Sequence, residues 1–122
     1  MPLVLIVDDE PRIRELLRDF LTSKEYEVIE AASGGEGLKR LREERPHLVL
    51  LDINMPGMSG LEVLRAAKAI DPAVGVIMVT GVHDEEIGRQ AMQEGAFDYI
   101  TKPLDLQYLE KCLWYKVTTM TL

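Results

Sequence analysis

Short apolar runs alternate with stretches of helical spacing five times along this chain, and that rhythm constrains the fold more than any other feature. The runs cover residues 3–7, 26–30, 48–51, 74–79 and 97–100. Four are nearly continuous in apolar residues, as expected of strands covered on both faces. The second alternates more and is expected nearer a sheet edge. Between them lie amphipathic stripes: Ile13, Leu16, Leu17, Phe20 and Leu21; Leu38 and Leu41; Leu61, Leu64 and Ala67; Ile87 and Ala91; and Leu106, Leu109 and Leu113. Ser33 with Glu36, and Ser59 with Glu62, read as capping boxes. Pro11 suits a first helical turn, and Pro46 and Pro72 fall where helices two and three should stop. Five β-then-α units predict a doubly wound α/β fold with a five-stranded parallel sheet and helices on both faces. For five strands the flavodoxin-like order 2-1-3-4-5 is the better choice, with a ligand crevice at the carboxyl ends of the strands.

Composition narrows the function classes. The chain has 122 residues, one domain's worth. A net charge of -7 argues against direct binding of nucleic acid or an anionic membrane. The apolar start is too short to span a bilayer or form a signal-peptide core. The single cysteine, Cys112, cannot form an internal disulfide and reads as a small apolar helix residue. The expected location is cytoplasmic.

The expected strand ends carry the chemistry. The first ends in Asp8-Asp9, the third in Asp52, the fourth in Thr80-Gly81 and the fifth in Thr101-Lys102-Pro103; the second ends in Ala31-Ala32. In the order above, strands one and three are neighbours, so three carboxylates converge. At an effective dielectric of ~20, each pair of like charges ~4 Å apart costs about 4 kcal/mol. A hard divalent cation relieves that repulsion: Mg²⁺ takes oxygen ligands, with Mn²⁺ as a substitute. Zn²⁺ is disfavoured, because His47 and His83 have no ligand partner in sequence and read as surface or packing residues. A carboxylate can itself be a nucleophile, forming an aspartyl phosphate. Asp52 then attacks a phosphoryl group, Lys102 offsets charge on its oxygens, Thr80 donates a hydroxyl, and Gly81 leaves room for entry. Taken singly, each residue has a plainer reading: Asp8 or Asp9 as a helix cap, Asp52 as a turn residue, Thr80 and Lys102 as common residue types with no special role. It is their shared position at the ends of four strands that favours chemistry.

These motifs carry a resemblance. Val-Asp8-Asp9-Glu10-Pro11, Leu-Leu-Asp52-Ile-Asn54-Met55-Pro56-Gly57-Met58-Ser59-Gly60, Val-Thr80-Gly81 and Tyr99-Ile-Thr-Lys102-Pro103 resemble the two-component response-regulator receiver domains, over essentially the whole chain through the fifth helix. The resemblance implies that Asp52 accepts phosphate from a sensor histidine kinase or phosphotransfer domain. It implies Mg²⁺ held by Asp9, Asp52 and the Asn54 carbonyl, with Asp8 acting largely through water. Thr80 and Lys102 would bind the phosphoryl group, Tyr99 would be the switch aromatic, and the bond before Pro103 would be cis. The response would appear on the surface of the fourth helix, fifth strand and fifth helix, where an output domain, a target protein or a second copy could dock. Asn54 and Val82 would tune the phosphoryl lifetime, and apolar Val82 implies slower self-dephosphorylation than glutamate there.

On this reading the chain is a switch rather than an enzyme, catalysing only its own phosphotransfer and slow dephosphorylation. Residues 1–117 would form the receiver, and 118–122 a tail or the start of a linker to an absent output domain. Trp114 and Tyr115 are expected to pack in the core or against another domain. The rivals are a phosphorylation-independent interaction module, a haloacid-dehalogenase-like aspartyl-phosphate phosphatase and a flavin-binding module. The phosphatase would need Asp-x-Asp after the first strand. The flavin module would need a Ser/Thr/Gly-rich loop there, and Asp8-Asp9-Glu10 would repel its phosphate.

Overall fold

A computed structural model describes residues 2–81 and 83–119. The expectation for Val82, and that part of the tail expectation falling on residues 120–122, lie outside them. The elements are β1 (Leu3–Val7), α1 (Pro11–Ser23), β2 (Glu27–Ala31), α2 (Gly34–Glu44), β3 (Leu48–Leu51), α3 (Gly60–Ile70), β4 (Gly75–Thr80), α4 (Glu85–Gln93), β5 (Asp98–Thr101) and α5 (Leu106–Thr119). All strand pairs are parallel, and the order is β2-β1-β3-β4-β5. The expected fold and order are therefore observed, with the alternating strand at an edge.

Three strands begin and end one residue later than their apolar runs suggest, because the ladder extends to Ala31, Thr80 and Thr101. Thr80 is thus the last residue of β4, paired with Thr101 and completely buried.

Strand alternation divides the core. Val4, Ile6, Leu48, Leu50, Ile77, Val79 and Ile100 face α1 and α5, meeting Leu17, Leu21, Leu109 and Leu113. Leu5, Val7, Val49, Leu51, Val76 and Met78 face the other way, meeting Leu38, Leu41, Val63, Leu64, Ala67 and Ala91 of α2, α3 and α4. At ~25 cal/mol per Å² of buried apolar surface, these two faces supply the main drive for folding.

Ser59 forms the full capping box with Glu62. Ser33 accepts from the Glu36 N–H, which is half of the expected box. Leu16 lies at the solvent edge of its stripe and is exposed. Trp114 and Tyr115 are exposed too, so the core half of their expectation is corrected: α5 turns Leu109, Cys112 and Leu113 inward and leaves these rings outside. Tyr115 stacks on Phe97 with centroids 6.0 Å apart. His47 has a packing role, its Nδ1 accepting the Leu3 N–H at 3.0 Å. Among the described residues, no helix is long and apolar enough to cross a membrane.

Candidate functional site

The carboxyl ends of β1 and β3 are held in register by the main chain. The Asp52 N–H donates to the Val7 carbonyl at 3.0 Å, and the Asp8 N–H donates to the Ala31 carbonyl at 3.2 Å. Both acids are buried at the rim of the sheet. Neither Asp8 nor Asp9 caps α1: the N-cap is Glu10, with no side-chain cap bond, and Pro11 begins the helix. Asp8 Oδ1 instead accepts the Glu10 N–H at 2.9 Å, and the Arg14 guanidinium donates to the Asp8 carbonyl oxygen at 2.7 Å. Glu30 on β2 faces Arg14 at 3.5 Å and Arg18 at 3.1 Å, completing a brace from α1 to the sheet.

Asp52 makes a tight turn of its own, with Oδ1 accepting the Asn54 N–H at 3.3 Å. The chain then doubles back, and the Gly60 N–H donates to the Ile53 carbonyl at 2.8 Å. A Cβ at Gly60 would overlap the Asp52 carbonyl oxygen and the Ile53 Cα, both main-chain atoms. Glycine is therefore the residue that lets α3 start directly behind Asp52.

Lys102 crosses the pocket from the far side. Its N–H donates to the Thr80 carbonyl at 2.7 Å, fixing its main chain to the end of β4. Its Nζ stands 3.0 Å from Asp8 Oδ2, 3.2 Å from Glu10 Oε1 and 3.6 Å from Asp52 Oδ2. The Lys102–Pro103 bond is cis. Burial works against the lysine charge, but the Asp8 hydrogen bond and charge, with Asp52 and Glu10, outweigh it and hold the ammonium above its usual value. For Asp8 the balance goes the other way: burial raises its carboxyl more than the Glu10 N–H and Lys102 lower it, and Asp52 adds repulsion. The attraction shows at the lysine and the desolvation cost at the acid.

Acceptor atoms of Asp8, Glu10 and Asp52 lie within 4.8 Å of one another. Glu10 enters this group although the sequence reading gave it no role; its place two residues after Asp8, with an acidic side chain, was the available signal. Asp9 is half-buried and outside that group, and Asn54 is exposed. The space around a Cβ at Gly81 is open. Tyr99 is half-buried beside α4, close enough that a Cβ at Gly88 would touch its ring at 3.7 Å. The pocket is a set of hard oxygen donors with one ammonium, a donor set that suits a divalent cation of the Mg²⁺ class.

The chain is also similar to known proteins in sequence and in fold. The response regulator receiver domain model matches residues 4–113. Sporulation initiation phosphotransferase F of Bacillus subtilis is 38% identical over 103 residues, covering 84% of this chain and 83% of that protein. The chain spans about half the length of several other curated relatives it matches. A response regulator receiver domain protein from Clostridium thermocellum superposes with a TM-score of 0.92 at 34% identity, over 97% of this chain and 95% of that one. The CheX–CheY–BeF3–Mg²⁺ complex from Borrelia burgdorferi matches with a TM-score of 0.90 at 30% identity, over 97% of this chain and 90% of the other.

Proposed function

The chain belongs to the response regulator receiver domain family, and from that membership we propose that it is a phosphorylation-dependent signalling switch with Asp52 as its phosphoacceptor. The observation that carries this reading is the approach of Lys102 Nζ to Asp8 and Asp52 at the joined ends of three neighbouring strands and β5.

Asp52 is the nucleophile. A carboxylate oxygen attacks phosphorus, an O–P bond forms, and the P–N bond to the histidine of a sensor kinase or phosphotransfer domain breaks. The electron pair leaves with the imidazole. In this reading Lys102 offsets charge on the phosphoryl oxygens, and Thr80, the last residue of β4, donates its hydroxyl to them. The carboxylates of Asp8, Glu10 and Asp52 fit Mg²⁺, and the family pattern adds Asp9 and the Asn54 carbonyl. When bound, the cation keeps the acids ionised and draws charge from the phosphoryl oxygens. Its presence in the CheX–CheY–BeF3–Mg²⁺ relative supports that assignment. The added charge biases a two-state element, for which α4, β5 and α5 with Tyr99 are the candidates, and partners or a second copy would read that surface.

The test is exposure to acetyl phosphate and Mg²⁺ followed by intact mass. Wild type should gain one phosphoryl mass, and Asp52→Asn should not. No gain in wild type, or equal gain in both, overturns the assignment.

A further inference from the structure

Consecutive residues of β5 are tied to different helices. Tyr99 packs on the sheet face shared with α4, beside Gly88. Asp98 points to the opposite face, which carries α5. Its Oδ2 accepts the Tyr108 hydroxyl at 2.8 Å and the Cys112 thiol at 3.1 Å, both from α5. Its Oδ1 accepts the main-chain N–H of Tyr99 at 2.7 Å. One carboxylate thus holds the peptide of Tyr99 with one oxygen and two turns of α5 with the other. Bonds to a charged acceptor are the stronger kind, and Cys112 is itself buried.

We propose that Asp98 is a positioning residue that links the main chain of Tyr99 to α5, so that a change at Tyr99 is transmitted to that helix through Tyr108 and Cys112. The inference rests on the switch reading above and deepens it by naming the residues that carry the response to α5. Because Asp98 shares a peptide with Tyr99, a shift of that strand residue moves the carboxylate, and both α5 donors must follow or lose their acceptor. A coupling claim needs an element whose two arrangements both sites bias. Here that element is the β5–α5 pair, joined by Asp98.

The experiment uses the ¹⁵N-labelled chain with Mg²⁺ and beryllofluoride, comparing wild type, Tyr108→Phe/Cys112→Ala and Tyr108→Phe/Cys112→Ser. Neither altered position belongs to the acid pocket. In wild type, amide shifts should appear both near Asp52 and along α5. In the Phe/Ala variant the shifts near Asp52 should persist, while those along α5 shrink at least about twofold, the smaller end of coupling changes produced by such mutations. The Phe/Ser variant, which restores one donor to Asp98, should recover part of the α5 response. Full α5 shifts in the Phe/Ala variant, or no recovery in Phe/Ser, overturn this inference and leave the phosphoacceptor reading standing. Absence of any shift near Asp52 in wild type overturns both. Tyr108→Phe alone, at an exposed position, gives a graded loss under the inference and none without it.

Discussion

Lys102 Nζ lies 3.0 Å from Asp8 Oδ2, joining the ends of β5 and β1 across the strands between them. The same ammonium is 3.6 Å from Asp52, so one cation serves two acids from neighbouring strands. Its side chain is only 15% exposed, and those of Asp8 and Asp52 are 3% and 4% exposed. The interaction is therefore little screened by solvent.

Replacing Lys102 by Met keeps most of the side chain's length and removes its charge, leaving Asp8 and Asp52 facing each other. Loss of a charged hydrogen bond of this kind costs about 1.5–3 kcal/mol. Urea denaturation in chelator should show that loss, and millimolar Mg²⁺ should restore much of it by binding only the folded state. Phosphorylation by acetyl phosphate should fall in the same variant. Unchanged stability in chelator would mean that the lysine is not the counter-ion of this pair.

Asp8→Asn should do the opposite. Its carboxyl is raised above 3.8, chiefly by burial. A raised acid binds its proton more tightly folded than unfolded, so at neutral pH the ionised group detracts from stability. That penalty fades as pH falls through the folded value towards 3.8. Asp8→Asn should be more stable than wild type at neutral pH in chelator, and the gap should close in acid. The variant should lose most of the stabilisation that Mg²⁺ gives wild type. A variant less stable than wild type at neutral pH would refute this account of the pocket.

Much of this was legible in the sequence because it depends on local pattern. Apolar runs and helical stripes lead to the sheet, and strand order brings Asp8 and Asp52 together. Glu10 was harder to assign, because its place in the acid group depends on Lys102 reaching over from a residue 92 positions away. The link from Asp98 to Tyr108 and Cys112 was invisible for a related reason: a strand and the helix after it meet at a register that no periodicity encodes. Trp114 and Tyr115 misled because α5 carries apolar residues on both faces, so composition could not tell its inner side from its outer one.

Gly60→Ala should be among the most damaging single-methyl changes. The added carbon would meet the Asp52 carbonyl and the Ile53 Cα, which are backbone and cannot rotate away. Overpacking of this kind costs about 1–3 kcal/mol. The displaced element is the Asp52 turn itself, so phosphorylation by acetyl phosphate should fall by more than the loss of folded protein explains. Gly35→Ala is the control, because a Cβ there meets nothing within 4 Å. Equal behaviour of the two variants would show that the start of α3 yields easily.

Cys112 should be inert in the folded chain and should give stability a slope in mild alkali. Burial, followed by the hydrogen bond to Asp98, pushes its thiol from 9.0 up to about 11, against a smaller lowering by Tyr108. Alkylation by iodoacetamide at pH ~8 should be at least about a hundredfold slower than in urea, since the thiolate is the reacting form. A group that ionises later when folded contributes stability that is whole below its unfolded value and is lost as pH rises through the folded one. Between 9.0 and about 11 the wild type should therefore lose stability relative to Cys112→Ala. At ~1.4 kcal/mol for each pH unit, the relative loss is about 2 kcal/mol. Taking the difference between the two proteins removes groups remote from Cys112, and making the comparison in a Tyr108→Phe background removes the tyrosine that shares Asp98 with it. Parallel pH profiles, or alkylation as fast in buffer as in urea, would mean that the thiol is neither shielded nor held by Asp98.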